Sequence, residues 1–140
     1  MSQVLHPYFS LSGEFEPDEV TRLLGIEPSW VKRIGDPGPP AALGPRLGAE
    51  WAWQPLDDDS DHVGDQLAYL AGSLSLIGEK IAELSKKFYG TFHIYNQLDE
   101  INRDWFVSAE TLRLIANLHV DIECENVRIA QEEELTTDAN

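Results

Sequence analysis

Hydrophobic positions along the chain recur with two different periods, one typical of strands and one typical of helices. In residues 7–15, Phe9 and Leu11 alternate with more polar neighbours, which is the pattern of a half-buried strand. Apolar residues from Val63 to Phe88 instead recur at three- and four-residue steps, which predicts helix. Because glycines at 72 and 78 interrupt that segment, we expect two shorter helices or one bent helix.

A short helix after the first strand has the clearest end signals in the chain. Pro17 suits the first helical position, and Gly25 can adopt the left-handed conformation that ends a helix. The positions expected to face inward are Val20, Leu23 and Leu24. Short strands are predicted next at residues 30–34 and 50–54.

The second half of the chain predicts strand, helix and strand. In residues 90–97, Phe92 and Ile94 face inward, whereas Thr91, His93 and Tyr95 face outward. Ser108 is the predicted N-cap of a helix whose inward residues are Leu112, Ile115 and Leu118. In residues 119–127 the inward residues are Val120, Ile122 and Cys124, so Cys124 is expected to be a small buried hydrophobe and not a reactive thiol.

This order of elements predicts an α/β (α+β) fold, a two-layer sandwich in which helices cover one face of a mixed sheet of about five strands. We expect one globular domain over residues 1–128. Residues 35–49 are rich in proline and glycine and predict a surface loop. Residues 129–140 are acidic and predict a flexible C-terminal tail.

The charge is strongly acidic, with 10 basic residues against 25 acidic residues and a formal net charge of −15. Such a surface repels phosphate backbones, so we expect no nucleic-acid ligand, and it attracts cationic partners. No apolar run approaches the roughly 20 residues that span a bilayer, so we expect no membrane association. The absence of a signal-peptide pattern and the single cysteine favour a cytoplasmic location.

The stretch EWAWQPLDDDSDHVGD, residues 50–65, contains two tryptophans and a run of carboxylates. Asp57, Asp59 and Asp61 match the first positions of a calcium loop, but His62 and Ala68 stand where glycine and glutamate are required. The favoured interpretation is therefore the start of a helix, capped by Ser60 or Asp61. Trp51 and Trp53 share one strand face, and the sequence leaves open whether that face is the core or the surface.

The polar sheet face gathers the candidate binding residues, which are Tyr8, His93, Tyr95, His119, Asp121, Glu123 and Glu125. No catalytic motif is present, and the serines at 10 and 12 flank no obvious base. A metal site from His93, His119 and Asp121 is conceivable but not favoured, because no histidine pair has metal-ligand spacing. We therefore predict neither a metal nor a cofactor.

Three segments resemble a known family. They read YFSLSGEFEPDEVTRLLGIEPSWVKRIGD, EWAW and ETLRLIANLHVDIECE, and they are similar to members of the bacterial domain-of-unknown-function family 4279. The shared features are a strand ending in SG, a proline-led helix closing with LGI-x-P, a tryptophan strand, and a terminal helix followed by an acidic strand. The resemblance implies a small cytoplasmic α/β domain and supplies no catalytic residues.

Two classes of function fit these observations. The first is a non-catalytic binding module that masks a basic protein partner, for example in an immunity- or antitoxin-like role. The second is a small-molecule-binding or hydrolytic protein that uses the polar sheet face. A homodimer joined through that face is a third alternative, and enzymatic activity is the less favoured class because no motif indicates it.

Overall fold

The computed structural model describes residues 5–36, 48–56, 62–98 and 104–128. Within these ranges, five strands and four α-helices follow one another in the order that the sequence predicts. The strands are β1 (Tyr8–Gly13), β2 (Trp30–Lys32), β3 (Ala49–Trp53), β4 (Tyr89–Leu98) and β5 (Asp121–Arg128). The helices are α1 (Pro17–Leu24), α2 (Val63–Leu74), α3 (Gly78–Lys87) and α4 (Ala109–Leu118), and a 3-10 turn (Ser75–Ile77) joins α2 to α3.

Three sequence-based predictions fall wholly or largely outside the described residues. These concern most of the Pro/Gly-rich loop, the aspartates of the calcium-like stretch, and the acidic tail. The corresponding residues are 37–47, 57–61 and 129–140.

The five strands form one mixed, open sheet in the order β2-β3-β1-β4-β5. All neighbouring strands are antiparallel except β4 and β5, which run parallel. Helix α1 contacts β3, while α2 and α3 contact β4, and α4 packs on α2 and α3. The predicted two-layer α+β architecture is therefore confirmed.

The core lies between the helices and one face of the sheet. Phe9 and Leu11 of β1 and Phe92 and Ile94 of β4 are buried, as their alternation predicts. Trp51 is fully buried and donates its indole N–H to Thr21 Oγ1 of α1 at 3.0 Å. Trp53 lies half-buried against the same core.

Helix α1 has the predicted ends. Pro17 is its first residue, and Gly25 ends it with φ 74°, donating its N–H to the Thr21 carbonyl at 2.9 Å. Val20 and Leu24 are buried, but Leu23 is 39% exposed, so its predicted inward position is wrong. The short helix contacts the core along a narrow stripe that the i and i+4 positions already fill.

The helical segment after β3 divides as predicted, with the 3-10 turn separating α2 from α3. Its N-cap is His62 and not Ser60 or Asp61, and His62 Nδ1 accepts a hydrogen bond from the Gly64 N–H at 3.1 Å. Gly64 lies against the chain before α4, where an added Cβ would come within 2.0 Å of the Phe106 carbonyl oxygen. Only a glycine fits there without displacing that chain.

A buried amide completes the hydrogen bonding of β4. The paired residues of β1 and β4 run as far as Tyr8 and His93. Beyond that point, the fully buried Gln66 of α2 donates its amide N–H to the Tyr95 carbonyl and accepts from the Tyr95 N–H, each at 2.9 Å. The Gln66 side chain thus takes the place of a neighbouring strand at Tyr95.

The last helix and strand depart from the predicted burial. Ser108 caps α4 as predicted, but Leu112 is 48% exposed and Thr111 is buried. In β5, Ile122 is 42% exposed and Cys124 is exposed, so the prediction that both are core residues is wrong. Ile122 and Cys124 are exposed because β5 is the outermost strand of the sheet, and the helices pack over the strands further in.

Candidate functional site

The sheet surface opposite the helices, here called the open face, carries the side chains that alternate with the core residues. Strand register places them side by side, because directly paired residues point to the same face of a sheet. Among the side chains of the open face are Tyr8, Ser10, Trp30, Lys32, Glu50, His93, Tyr95, Asp121, Glu123 and Glu125.

Three rings form an aromatic cluster at the centre of the open face. Tyr8 and His93 are directly paired across β1 and β4, and their rings stack with centroids 4.2 Å apart and 12° between planes. Trp30 of β2 meets the Tyr8 ring edge-on at 4.9 Å. The arrangement joins three strands and leaves each ring only half-buried.

Ser10 and His93 form a cross-strand contact. Ser10 Oγ lies 2.9 Å from His93 Nε2, and His93 Nδ1 lies 3.7 Å from Glu123 Oε2. The prediction that Ser10 flanks no base is therefore wrong. The order serine, histidine, carboxylate is that of a hydrolytic triad, but Ser10 is only 2% exposed, which keeps its hydroxyl from an incoming substrate.

Glu50 fixes the other side of the cluster. Its carboxylate accepts a hydrogen bond from Trp30 Nε1 at 2.8 Å and lies 3.8 Å from Lys32 Nζ. Lys32 therefore neutralises Glu50 in part, whereas Glu123 and Glu125 on the far side are exposed. The open face is consequently most negative towards β5.

The electrostatics of the open face oppose any further negative charge. Burial raises the pKa of Tyr8 to about 12, with added contributions from Tyr95, Glu50, Glu123 and Glu125. Burial, together with Glu125 and Glu123, also raises the pKa of Tyr95. Both phenols are neutral near pH 7 and can donate hydrogen bonds.

His93 is held towards its neutral form. Burial lowers its pKa below the ordinary 6.5, although Glu123 and Glu50 act in the opposite direction. A neutral imidazole can exchange a hydrogen bond with Ser10 and stack flat on Tyr8. The geometry therefore describes a neutral aromatic centre bordered by carboxylates.

Cys124 lies on the opposite side of β5 from this face. The residue as a whole is exposed, but local burial of the thiol raises its pKa, opposed in part by a hydrogen bond with the Asn96 backbone. The thiol is thus protonated near pH 7. The thiolate is the nucleophilic form, so the expectation that Cys124 is not a reactive thiol now rests on this raised pKa and not on burial in the core.

Most of the predicted site residues do come together. Tyr8, His93 and Tyr95 are half-buried on the open face, with Glu123 beside His93 and Glu125 beside Tyr95 in the register.

The other two predicted residues lie further from the cluster. Asp121 pairs with Thr91 at the start of β5. His119 precedes the strand and ends α4 in the left-handed conformation, with φ 57°.

Sequence reasoning missed Trp30, Glu50 and Ser10 as members of the site. Trp30 and Lys32 share one face of β2, and Glu50 and Ala52 share one face of β3. The sequence pattern alone does not reveal which strands are neighbours in the sheet. The strand order places β2 and β3 on the β1 side of the cluster.

In the part of the chain that the structure describes, no group of three or more His, Cys, Asp or Glu side chains could hold a metal ion. His93 and Glu123 approach each other, but no third ligand from the described residues joins them. The described helices also include none that is long and apolar enough to cross a bilayer.

Comparison with known proteins gives a family. The family model described as "Domain of unknown function (DUF4279)" matches residues 4–126, which is most of the chain. The chain belongs to the DUF4279 family. No curated protein and no solved structure was found to match it. The DUF4279 match includes the aromatic cluster and the carboxylates of the open face, from Tyr8 to Glu125, and the resemblance noted in the sequence is confirmed.

Proposed function

We propose that this DUF4279 protein is a non-catalytic binding module of the cytoplasm that captures a basic protein partner on its open face. The observation that carries the proposal is the half-buried cluster of Tyr8, Trp30 and His93, bordered by Glu50 and by the exposed carboxylates of β5. Aromatic side chains at the centre and charges at the rim are the composition of protein–protein interfaces.

The overall charge supports a cationic partner. With a net charge of −15, the protein attracts basic surfaces over distance and repels nucleic acid. Glu123 and Glu125 lie two residues apart in β5, so both project on the open face. A cationic partner would relieve the repulsion between their carboxylates. An immunity- or antitoxin-like role, in which the open face masks a basic enzyme such as a nuclease, is one form of this function.

The test is co-purification from the native host, followed by identification of the bound material by mass spectrometry. A stoichiometric basic protein is expected. The double substitution Glu123→Lys and Glu125→Lys should abolish its capture, because the partner then meets like charge.

The matched control is Glu14→Lys with Glu27→Lys, two exposed residues outside the strands. Both double variants make the same change in net charge, so a general effect of charge would weaken capture equally. Equal loss in both variants, or a partner that is not basic, would contradict the proposal.

A second candidate is a small-molecule-binding or hydrolytic function, which the Ser10, His93 and Glu123 arrangement favours. Its test is labelling with a fluorophosphonate, which reacts with activated serines. Covalent labelling at Ser10 that is lost in Ser10→Ala, or a metabolite retained through purification, would support this candidate. The burial of Ser10 leads us to expect no labelling at this residue.

A further inference from the structure

Strand β5 forms a long edge of the sheet, and its residues are exposed on both faces. Seven of its eight residues are exposed and Val127 is half-buried. In the described ranges its only strand neighbour is β4. The opposite edge differs, since β2 has three residues, all half-buried. An eight-residue strand presents an edge about 26 Å long, along which alternate residues direct their N–H and C=O groups outwards.

The two faces of β5 have different chemistry. Asp121, Glu123 and Glu125 project on the open face, followed by Val127. Ile122 and Cys124 project on the helix side, followed by the exposed Asn126 and Arg128. Ile122 is paired with the fully buried Phe92, yet 42% of its own surface is exposed. A segment added beside the first part of β5 would therefore meet carboxylates on one face and cover Ile122, next to the core, on the other.

A second copy of this chain does not fit that edge. In antiparallel pairing, residues of the two copies that share a face come together, so the three carboxylates of each copy would meet. In parallel pairing about a two-fold axis the second copy is turned over, which sets its carboxylates beside Ile122 and Cys124. In the antiparallel arrangement like charges lie directly opposite one another, which is destabilising. In the parallel arrangement the cation of β5, Arg128, would lie at the end of the strand beside Val127 and not beside Asp121 or Glu123.

We propose that β5 captures its partner by strand addition, pairing its outer edge with an extended segment in which basic and apolar residues alternate. Lysine or arginine at every second position would face Asp121, Glu123 and Glu125. The intervening apolar residues would cover Ile122 and Cys124, and main-chain hydrogen bonds would continue the sheet. This inference rests on the proposed function, because it specifies how a basic partner is held.

The experiment uses the whole protein and a short peptide of alternating lysine and valine, matched in length to β5. Two control peptides have the same composition. In one, the lysines and valines are separated into blocks, and in the other, alternate backbone amides on one edge are N-methylated. Affinity is measured by titration calorimetry at low salt, and hydrogen exchange of the β5 amides is recorded with each peptide.

The alternating peptide should bind at least about tenfold more tightly than either control, because only it can form both the ladder and the two matched faces. It should also slow exchange of the outward amides of β5. In the Glu123→Lys and Glu125→Lys variant the preference should switch to an alternating glutamate–valine peptide.

Equal binding of all three lysine peptides would overturn strand addition but leave an acidic capture surface, and with it the proposed function. The absence of binding by the alternating peptide would also overturn the strand-addition inference. The capture experiment with the host partner tests the proposed function separately, so the two failures can be distinguished. A stable dimer of the protein paired through β5 would overturn the choice of occupant.

Discussion

Replacing Gln66 by leucine removes the side chain that stands in for a strand beside Tyr95. Leucine has a similar size and is apolar, so the position stays filled. The Tyr95 N–H and carbonyl each lose a partner at 2.9 Å, in surroundings where Gln66 itself is fully buried. The substitution therefore isolates hydrogen bonding from cavity formation.

The expected loss is set by two opposing terms. Leaving two backbone groups without partners in this partly buried contact costs up to roughly 1–3 kcal/mol each. Burying a leucine side chain in place of the amide returns roughly 1.5–3 kcal/mol. We therefore expect a net destabilisation of about 2 kcal/mol, which lowers the melting temperature by about 6–8 °C for a chain of this size.

Urea unfolding followed by circular dichroism measures this loss, with Ser73→Leu as the control. Ser73 is exposed on the same helix, so its substitution tests the effect of an added leucine without touching Tyr95. A surface change of this kind should alter the free energy of unfolding by no more than about 0.5 kcal/mol. The reasoning is refuted if Gln66→Leu costs no more than Ser73→Leu.

A second substitution examines the same contact through pH. In Gln66→Glu the neutral acid can both donate and accept, as the amide does, whereas the carboxylate can only accept. Burial raises the pKa of such an acid in the folded state, so the destabilisation is present above that folded pKa and fades as pH falls through it. The variant should therefore gain stability relative to the wild type on acidification, and a constant difference across pH would contradict the assignment.

Three further predictions concern the open face and the start of α2. The folded pKa of His93 lies below 6.5, so the stability of the wild type should fall as pH drops from 6.5 towards that lower pKa. Urea unfolding of His93→Gln should show a smaller loss of stability over the same pH range. A tyrosine with a pKa of about 12 should appear in ultraviolet titration and disappear in Tyr8→Phe, and its contribution to stability is lost between pH 10 and about 12. Gly64→Ala should lower the free energy of unfolding by about 2 kcal/mol or more, because the added Cβ would collide with the Phe106 carbonyl oxygen. Gly72→Ala has open space around it and should be neutral or stabilising by up to about 1 kcal/mol, and thermal or urea unfolding measures both.

The features that the sequence predicted well are those decided by neighbours along the chain. Pro17 and Gly25 define the ends of α1 through their own backbone preferences, and Ser108 caps α4 through its own hydroxyl. Phe92 and Ile94 are buried because β4 lies inside the sheet, where strict alternation separates core from surface. Local rules are sufficient in these cases.

The features that were missed depend on which elements become neighbours in space. Ile122 and Cys124 alternate as regularly as the residues of β4, but they are exposed because β5 is the edge strand and the helices pack over the strands further in. Gln66 is not one of the apolar residues that predict the helical segment, and its buried role arises because β4 runs past the paired part of β1. The contact between Ser10 and His93 joins residues 83 positions apart, and no local sequence pattern predicts it.

The parallel attachment of β5 to a sheet that is otherwise antiparallel has a kinetic consequence. Strands β1 to β4 and helices α1 to α3 all precede α4 and β5 in the chain, so the four-stranded portion can pair as soon as it is synthesised. Since β5 is held chiefly by β4 and is exposed on both faces, it should dock last and detach first. Native-state hydrogen exchange should then show β5 amides opening at a lower free energy than those of β1, which lies between two other strands.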